Sequence, residues 1–149
     1  PYEMGLIKNK YVGRTFIQPT QALREKGVKM KLSPVKSIVK GKRIVLVDDS
    51  IVRGTTSLKI VSMLREAGAT EVHVRIGSAP LKYTCFYGVD IHTPEELISS
   101  SHSVDEVCKI IGADSLAFLS HEGMLRAGRR DDLCLACFNA KYPTKLYEE

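Results

Sequence analysis

Ile44-Val45-Leu46-Val47-Asp48-Asp49-Ser50-Ile51-Val52-Arg53-Gly54-Thr55-Thr56-Ser57 reads as a buried strand, an abrupt turn and the start of a helix. Two adjacent carboxylates fall where the strand ends. A Gly and three hydroxyl residues fall where the helix begins. Unpaired N–H groups at a helix N-terminus attract anions. Carboxylates at the C-terminal end of a strand meet sugar hydroxyls or a hard cation such as Mg²⁺. Either half alone is as often a solvated turn or a plain helix cap. Joined on one strand–loop–helix, they suit a phosphorylated sugar. The segment carries neither the G-x-x-x-x-G-K-[ST] of a P-loop nor the G-x-G-x-x-G of a dinucleotide fold.

Working outward, Leu58, Val61 and Leu64 share one face of the helix expected from Ser50 onward, and Gly68 is its natural stop. Residues 71–76 alternate Val72, Val74 and Ile76 with polar residues, the pattern of a strand. Thr93-Pro94-Glu95-Glu96 and Ser103-Val104-Asp105-Glu106 both read as helix starts with a Glu three residues after the cap. Residues 115–119 form a last short strand, and residues 3–12 a first one. Strands and helices alternate, so the class is α/β with a mainly parallel sheet.

The charge is unevenly spread. Residues 1–43 hold eleven Lys/Arg and two acids, whereas the remainder holds eleven Lys/Arg and fifteen acids. Beside a phosphate motif and without a nucleic-acid signature, a basic first third suggests a polyanionic small ligand such as pyrophosphate. No apolar run is long enough to span a bilayer, and 149 residues make one domain. The first residue is Pro, so a piece of a longer protein is expected. Of four cysteines, Cys134 and Cys137 form a CxxC, Cys85 stands apart, and Cys108 shares an apolar helix face with Val104, Val107 and Ile111. By spacing alone, the CxxC and a distant Cys suit zinc, an iron–sulfur cluster or nothing. The four histidines show no metal-binding spacing.

Residues 45–57 resemble the phosphoribosyl-pyrophosphate (PRPP) signature of type I phosphoribosyltransferases. Lys8-Asn9-Lys10-Tyr11-Val12-Gly13-Arg14-Thr15-Phe16-Ile17, Cys85-Phe86-Tyr87-Gly88-Val89-Asp90 and Ile111-Gly112-Ala113-Asp114-Ser115-Leu116 resemble one branch, the amidophosphoribosyltransferases. The resemblance covers nearly the whole chain. It implies part of a type I phosphoribosyltransferase fold, with flanking helices, a flexible loop at about 13–31 that closes over PRPP, and a cysteine-bearing tail at about 126–149. It also implies synthesis of 5-phosphoribosylamine from PRPP and glutamine, the first step of purine synthesis, in the cytoplasm. Ammonia would come from a glutaminase domain outside this sequence, purine nucleotides would inhibit, and the full-length enzyme would be a homo-oligomer.

By position in the resembled motif, Asp48 and Asp49 hold the ribose hydroxyls and Mg²⁺. Arg53, Gly54, Thr55 and Thr56 cradle the 5-phosphate, with Ser50 shaping the loop. Arg14 and Lys31 reach the pyrophosphate on closure and are the catalytic candidates. One subgroup carries a [4Fe–4S] cluster at the positions of Cys85, Cys134 and Cys137, with a fourth ligand upstream. The isolated chain is then expected to be inactive. A nucleobase phosphoribosyltransferase or a PRPP-sensing module remain the alternatives. The first does not need the CxxC, and the second brings a DNA-binding segment that is not visible here.

Overall fold

The structure is a computed structural model and describes residues 1–8, 32–89, 91 and 93–145. The described part opens with β1 (Leu6–Lys8), paired antiparallel with β2 (Leu32–Pro34). The expected first strand begins at Leu6 and not at residue 3, and its far end lies outside the described residues. A one-turn helix α1 (Lys36–Val39) leads into β3 (Arg43–Asp48). The long helix α2 (Thr55–Glu66) and β4 (Glu71–Ile76) follow. A single 3-10 turn (Pro94–Glu96), α3 (Ile98–Ser101) and α4 (Val104–Ile111) lead to β5 (Ser115–Phe118). Helices α5 (His121–Gly128) and α6 (Ala136–Asn139) complete the element order.

Strands β3, β4 and β5 form a parallel sheet in that order, with Asp48 opposite Ile76 and Ile76 opposite Phe118. The α/β class with a parallel sheet and flanking helices is what the alternating pattern predicts. One face is dry. Val61 and Leu64 of α2 and Val107 and Ile111 of α4 pack there on Val72, Val74 and Ile76. Asp114 ties the layers together. Its carboxylate accepts from Val72 N at 2.6 Å and from Arg65 at 2.9 Å, and its own N–H donates to Val72 O at 2.9 Å. These donors hold the Asp114 carboxyl below the usual carboxylate range, the Val72 N–H contributing most.

Three expectations are corrected. The strand read as buried is buried on one face only: Val45 and Val47 are 62% and 73% exposed. Parallel sheets are normally covered on both faces, and among the described residues helices cover one. The helix expected from Ser50 starts at Thr55, because Gly54 at φ 75° turns the chain just before it. Leu58 is exposed, and the buried face of α2 is carried by Ile60, Val61, Met63 and Leu64.

The two expected helix starts differ in outcome. At Ser103 the full capping box is present: Ser103 Oγ accepts from Glu106 N, and the Glu106 side chain accepts from Ser103 N at 2.7 Å. At Thr93 no side-chain cap forms, and the segment is a 3-10 turn that runs into α3.

Candidate functional site

The site grows from the C-terminal end of β3. Asp48 ends the strand, and Gly77 N donates to its carbonyl at 2.9 Å. The Asp48 carboxylate accepts from Asp49 N at 3.0 Å. The Asp49 carboxylate accepts from Ser50 N at 2.7 Å. Each acid thus fixes the N–H that follows it, and the two side chains are presented in succession at the strand end. Burial pushes the Asp48 carboxyl up, the Asp49 N–H partly offsets this, and the Asp49 charge adds to the rise. A carboxylate held half-buried beside another carries a charge that a cation or a pair of hydroxyls would stabilise.

The loop after the acids is anchored, not free. Ile51 is fully buried, and Val52 O accepts from Ile98 N at 2.9 Å. Gly54 then adopts the left-handed conformation and serves as the N-cap of α2 without a side-chain cap bond. A Cβ at Gly54 would stand 2.9 Å from Ile98 Cδ1. Thr55, Thr56 and Ser57 follow in the first helical turn, with Ser57 buried. The first turn has neither an acid nor a side-chain cap, which leaves its N–H groups and the positive end of the helix dipole for an anion.

The structure therefore brings Asp48, Asp49, Ser50, Gly54, Thr55 and Thr56 together on one turn. Arg53 is there too, but its guanidinium pairs with Glu96. Glu96 is a site residue that sequence reasoning missed: it was read as part of a helix cap. Arg14 and Lys31 lie outside the described residues, as does the loop expected at 13–31.

Cys85, Cys134, Cys137 and Cys108 are all free thiols. Cys137 is pushed up by burial first and then by the charges of Cys85 and Cys134, so these three sit within electrostatic reach. Among the described residues, they do not converge into a closed metal-holding group. Cys108 is half-buried rather than core, its neighbour Val104 is exposed, and its thiol donates to Ala113 O at 3.3 Å. Its rise comes from burial and from Asp105 and Asp114, not from the other cysteines.

What brings the tail to Cys85 is a clasp. Lys82 N and Tyr83 N both donate to Cys137 O at 3.0 Å. Tyr142 donates to Thr84 O at 2.8 Å and packs edge-on against Phe86 with ring centres 5.3 Å apart. Tyr87 meets Thr144 at 2.8 Å. Replacing Tyr142 by Ala removes a ring contact and a hydrogen bond together, a loss of roughly 2 kcal/mol from a local contact. A short bis-thiol alkylating reagent should then join Cys85 to Cys137 in the wild-type chain and fail to do so in Tyr142→Ala. Equal cross-linking in both would mean that the clasp does not hold the tail.

A family model described as the phosphoribosyl transferase domain matches residues 5–79. The amidophosphoribosyltransferase of Bacillus subtilis is 66% identical over 155 residues, covering 100% of this chain and 33% of that protein. The amidophosphoribosyltransferase of Synechococcus elongatus is 58% identical over 151 residues, with 100% of this chain and 31% of the relative covered. Among solved structures, a glutamine phosphoribosylpyrophosphate (PRPP) amidotransferase from B. subtilis complexed with ADP and GMP superposes with a TM-score of 0.85 at 66% identity. That match covers 100% of this chain and 34% of the other. The chain spans about a third of the length of the relatives it matches.

Proposed function

The chain belongs to the phosphoribosyl transferase domain family, and from that premise we propose that it is the PRPP-binding portion of an amidophosphoribosyltransferase. The reaction makes 5-phosphoribosylamine from PRPP, glutamine and water. The observation that carries this reading is the single turn on which Asp48 and Asp49 meet the uncapped start of α2. The 66% identity to a relative of that name selects the branch.

In this reading Arg53, Gly54, Thr55 and Thr56 form the 5-phosphate cradle, with the N–H groups that open α2 and the two threonine hydroxyls available to it, and Ser50 shapes the loop. The Asp48 and Asp49 carboxylates accept from the ribose hydroxyls. Ammonia attacks C1 of the ribose, the bond from C1 to pyrophosphate breaks, and the attacking nitrogen sheds a proton. Positive charge builds on the sugar near the two carboxylates, so their work is positioning and electrostatic. Mg²⁺ supplies neutralisation of the pyrophosphate when bound, and the half-buried carboxylate of Asp48 next to Asp49 fits a hard cation. Arg14 and Lys31 are assigned to the pyrophosphate.

Ammonia delivery, purine-nucleotide inhibition and homo-oligomer formation belong to the longer enzyme. The structural relative holds ADP and GMP, which supports the nucleotide assignment. No helix of the described residues is long and apolar enough to cross a membrane. Four free thiols suit the cytoplasm. The decisive experiment replaces the 66%-identical third of the B. subtilis relative by this chain and assays pyrophosphate release from PRPP with ammonia. Turnover is expected; a hybrid that folds and binds PRPP but releases nothing overturns the reading.

The same proposal assigns three ligands of a [4Fe–4S] cluster to Cys85, Cys134 and Cys137. The bonds from Lys82 N and Tyr83 N to Cys137 O, which bring the tail beside Cys85, support it, and three thiolates are one short of the usual four. Anaerobic reconstitution of this chain alone should therefore yield less than one cluster per chain, decaying in air, measured by iron assay and visible absorption. A stable four-iron cluster would mean that Cys108 leaves Ala113 to become a ligand. Tightly bound zinc would refute the iron–sulfur assignment while leaving the PRPP turn untouched.

A further inference from the structure

The family match ends at residue 79, yet the turn it contains is held from beyond that limit. Ile98 N donates to Val52 O at 2.9 Å. Ile98 Cδ1 closes over Gly54. Glu96, half-buried, takes the guanidinium of the exposed Arg53. All three contacts come from the stretch formed by the 3-10 turn and the start of α3. Leu97 between them is completely buried, which fixes that stretch in place. The Arg53 guanidinium is thus engaged by the same stretch that holds the loop backbone.

We propose that Glu96 is a positioning residue for the sugar-phosphate turn, and that Arg53 acts through this ion pair as a staple of the loop, not as a direct phosphate ligand. The inference rests on reading the turn as a phosphate cradle. Phosphate recognition then falls to backbone N–H groups, hydroxyls and the helix dipole, all of which are fixed in space only if the loop is. Arg53 lies inside the family-matched span and its partner Glu96 outside it. Sequence reading gives Arg53 to the phosphate because a cation beside a phosphate loop is the simplest assumption. The geometry assigns its charge elsewhere.

The two roles make opposite forecasts. If Arg53 is a staple, Arg53→Ala and Glu96→Ala each weaken PRPP·Mg²⁺ binding by up to about fivefold, and the double variant loses less than the two losses combined, because both remove the same pair. The exchange Arg53→Glu with Glu96→Arg then restores most of the affinity. If Arg53 binds phosphate, Arg53→Ala loses far more than Glu96→Ala, the losses add, and the exchange makes binding worse. Calorimetry on the chain and its variants reads this directly.

A second measurement needs no ligand. The Ile98 amide, bonded to Val52 O, reports whether the loop stays on its wall. Its hydrogen exchange should quicken roughly fivefold in Glu96→Gln, which keeps the side-chain shape, and recover in the exchanged pair, while the amides of β4 keep their rates. Unchanged Ile98 exchange in Glu96→Gln overturns the staple even if PRPP binds. Faster Ile98 exchange in Glu96→Gln, together with a wild-type chain that binds no PRPP, would uphold the staple and reject the phosphate reading instead.

Discussion

Asp48→Asn combined with Asp49→Asn is expected to abolish ribose-dependent PRPP binding, a loss of at least about a hundredfold, with the fold intact. Each carboxylate that accepts from a sugar hydroxyl makes a charge-assisted bond of about 1.5–3 kcal/mol, and the pair together sets the loss. Asparagine keeps the shape and an oxygen, so Asp49 N and Ser50 N retain their acceptors. The substitution should also leave the ligand-free chain at least as stable at neutral pH. The sign follows from Asp48, whose folded carboxyl is raised above its ordinary value by burial. A raised acid costs nothing at low pH, where it is protonated in both states. The cost enters as pH climbs through the ordinary carboxylate range and is complete above the raised folded value. Asp48→Asn removes that cost. Thermal melts at pH 3 and pH 7 should therefore show the variant gaining on wild type only at the higher pH. A double variant that binds PRPP normally, or that unfolds, would end the assignment of these acids.

Gly54→Val should be the most damaging single change to stability. The residue sits at φ 75°, where a β-branched side chain is strained by about 1–2 kcal/mol, and its Cβ would meet Ile98 Cδ1 at 2.9 Å. Ile111 Cγ2 at 3.7 Å stands behind the same position. Overpacking adds about 1–3 kcal/mol more. The total is a large part of the stability of a small domain, and the melting temperature should fall by roughly 10 °C. PRPP binding should fail along with it, because relief of the clash moves the N-cap of α2. Differential scanning calorimetry with and without ligand tests both parts; a variant melting within a degree or two of wild type would show that the turn is not rigid.

Local patterns were legible where local physics decides them. Residues 71–76 alternate because one face of β4 lies on helices, and the strand occupies those six positions. Ser103 and Glu106 cap each other across one turn, so the start of α4 was readable. The paired acids and Gly54 were readable for the same reason: each is a short-range requirement of a turn. Long-range choices were not. Val45 and Val47 look like core, because an apolar run says nothing about whether its second face is covered. Leu58 fits the helical period yet lies off the covered stripe. Glu96 sits three residues after Thr93, where a cap would want it, and its pairing with Arg53 spans 43 residues of chain. No spacing rule reaches that far.

The smaller of the two apolar cores gathers Leu81, Ile91 and Leu97, with Val52 of the loop after Asp49 and Cys137 and Phe138 of the tail packed against it. One set of side chains thus supports two segments that are far apart in the chain. A bulky or polar replacement at position 137 is expected to disturb Leu97 and, through it, Val52. The loop after Asp49 then depends on a residue more than eighty positions away in the chain.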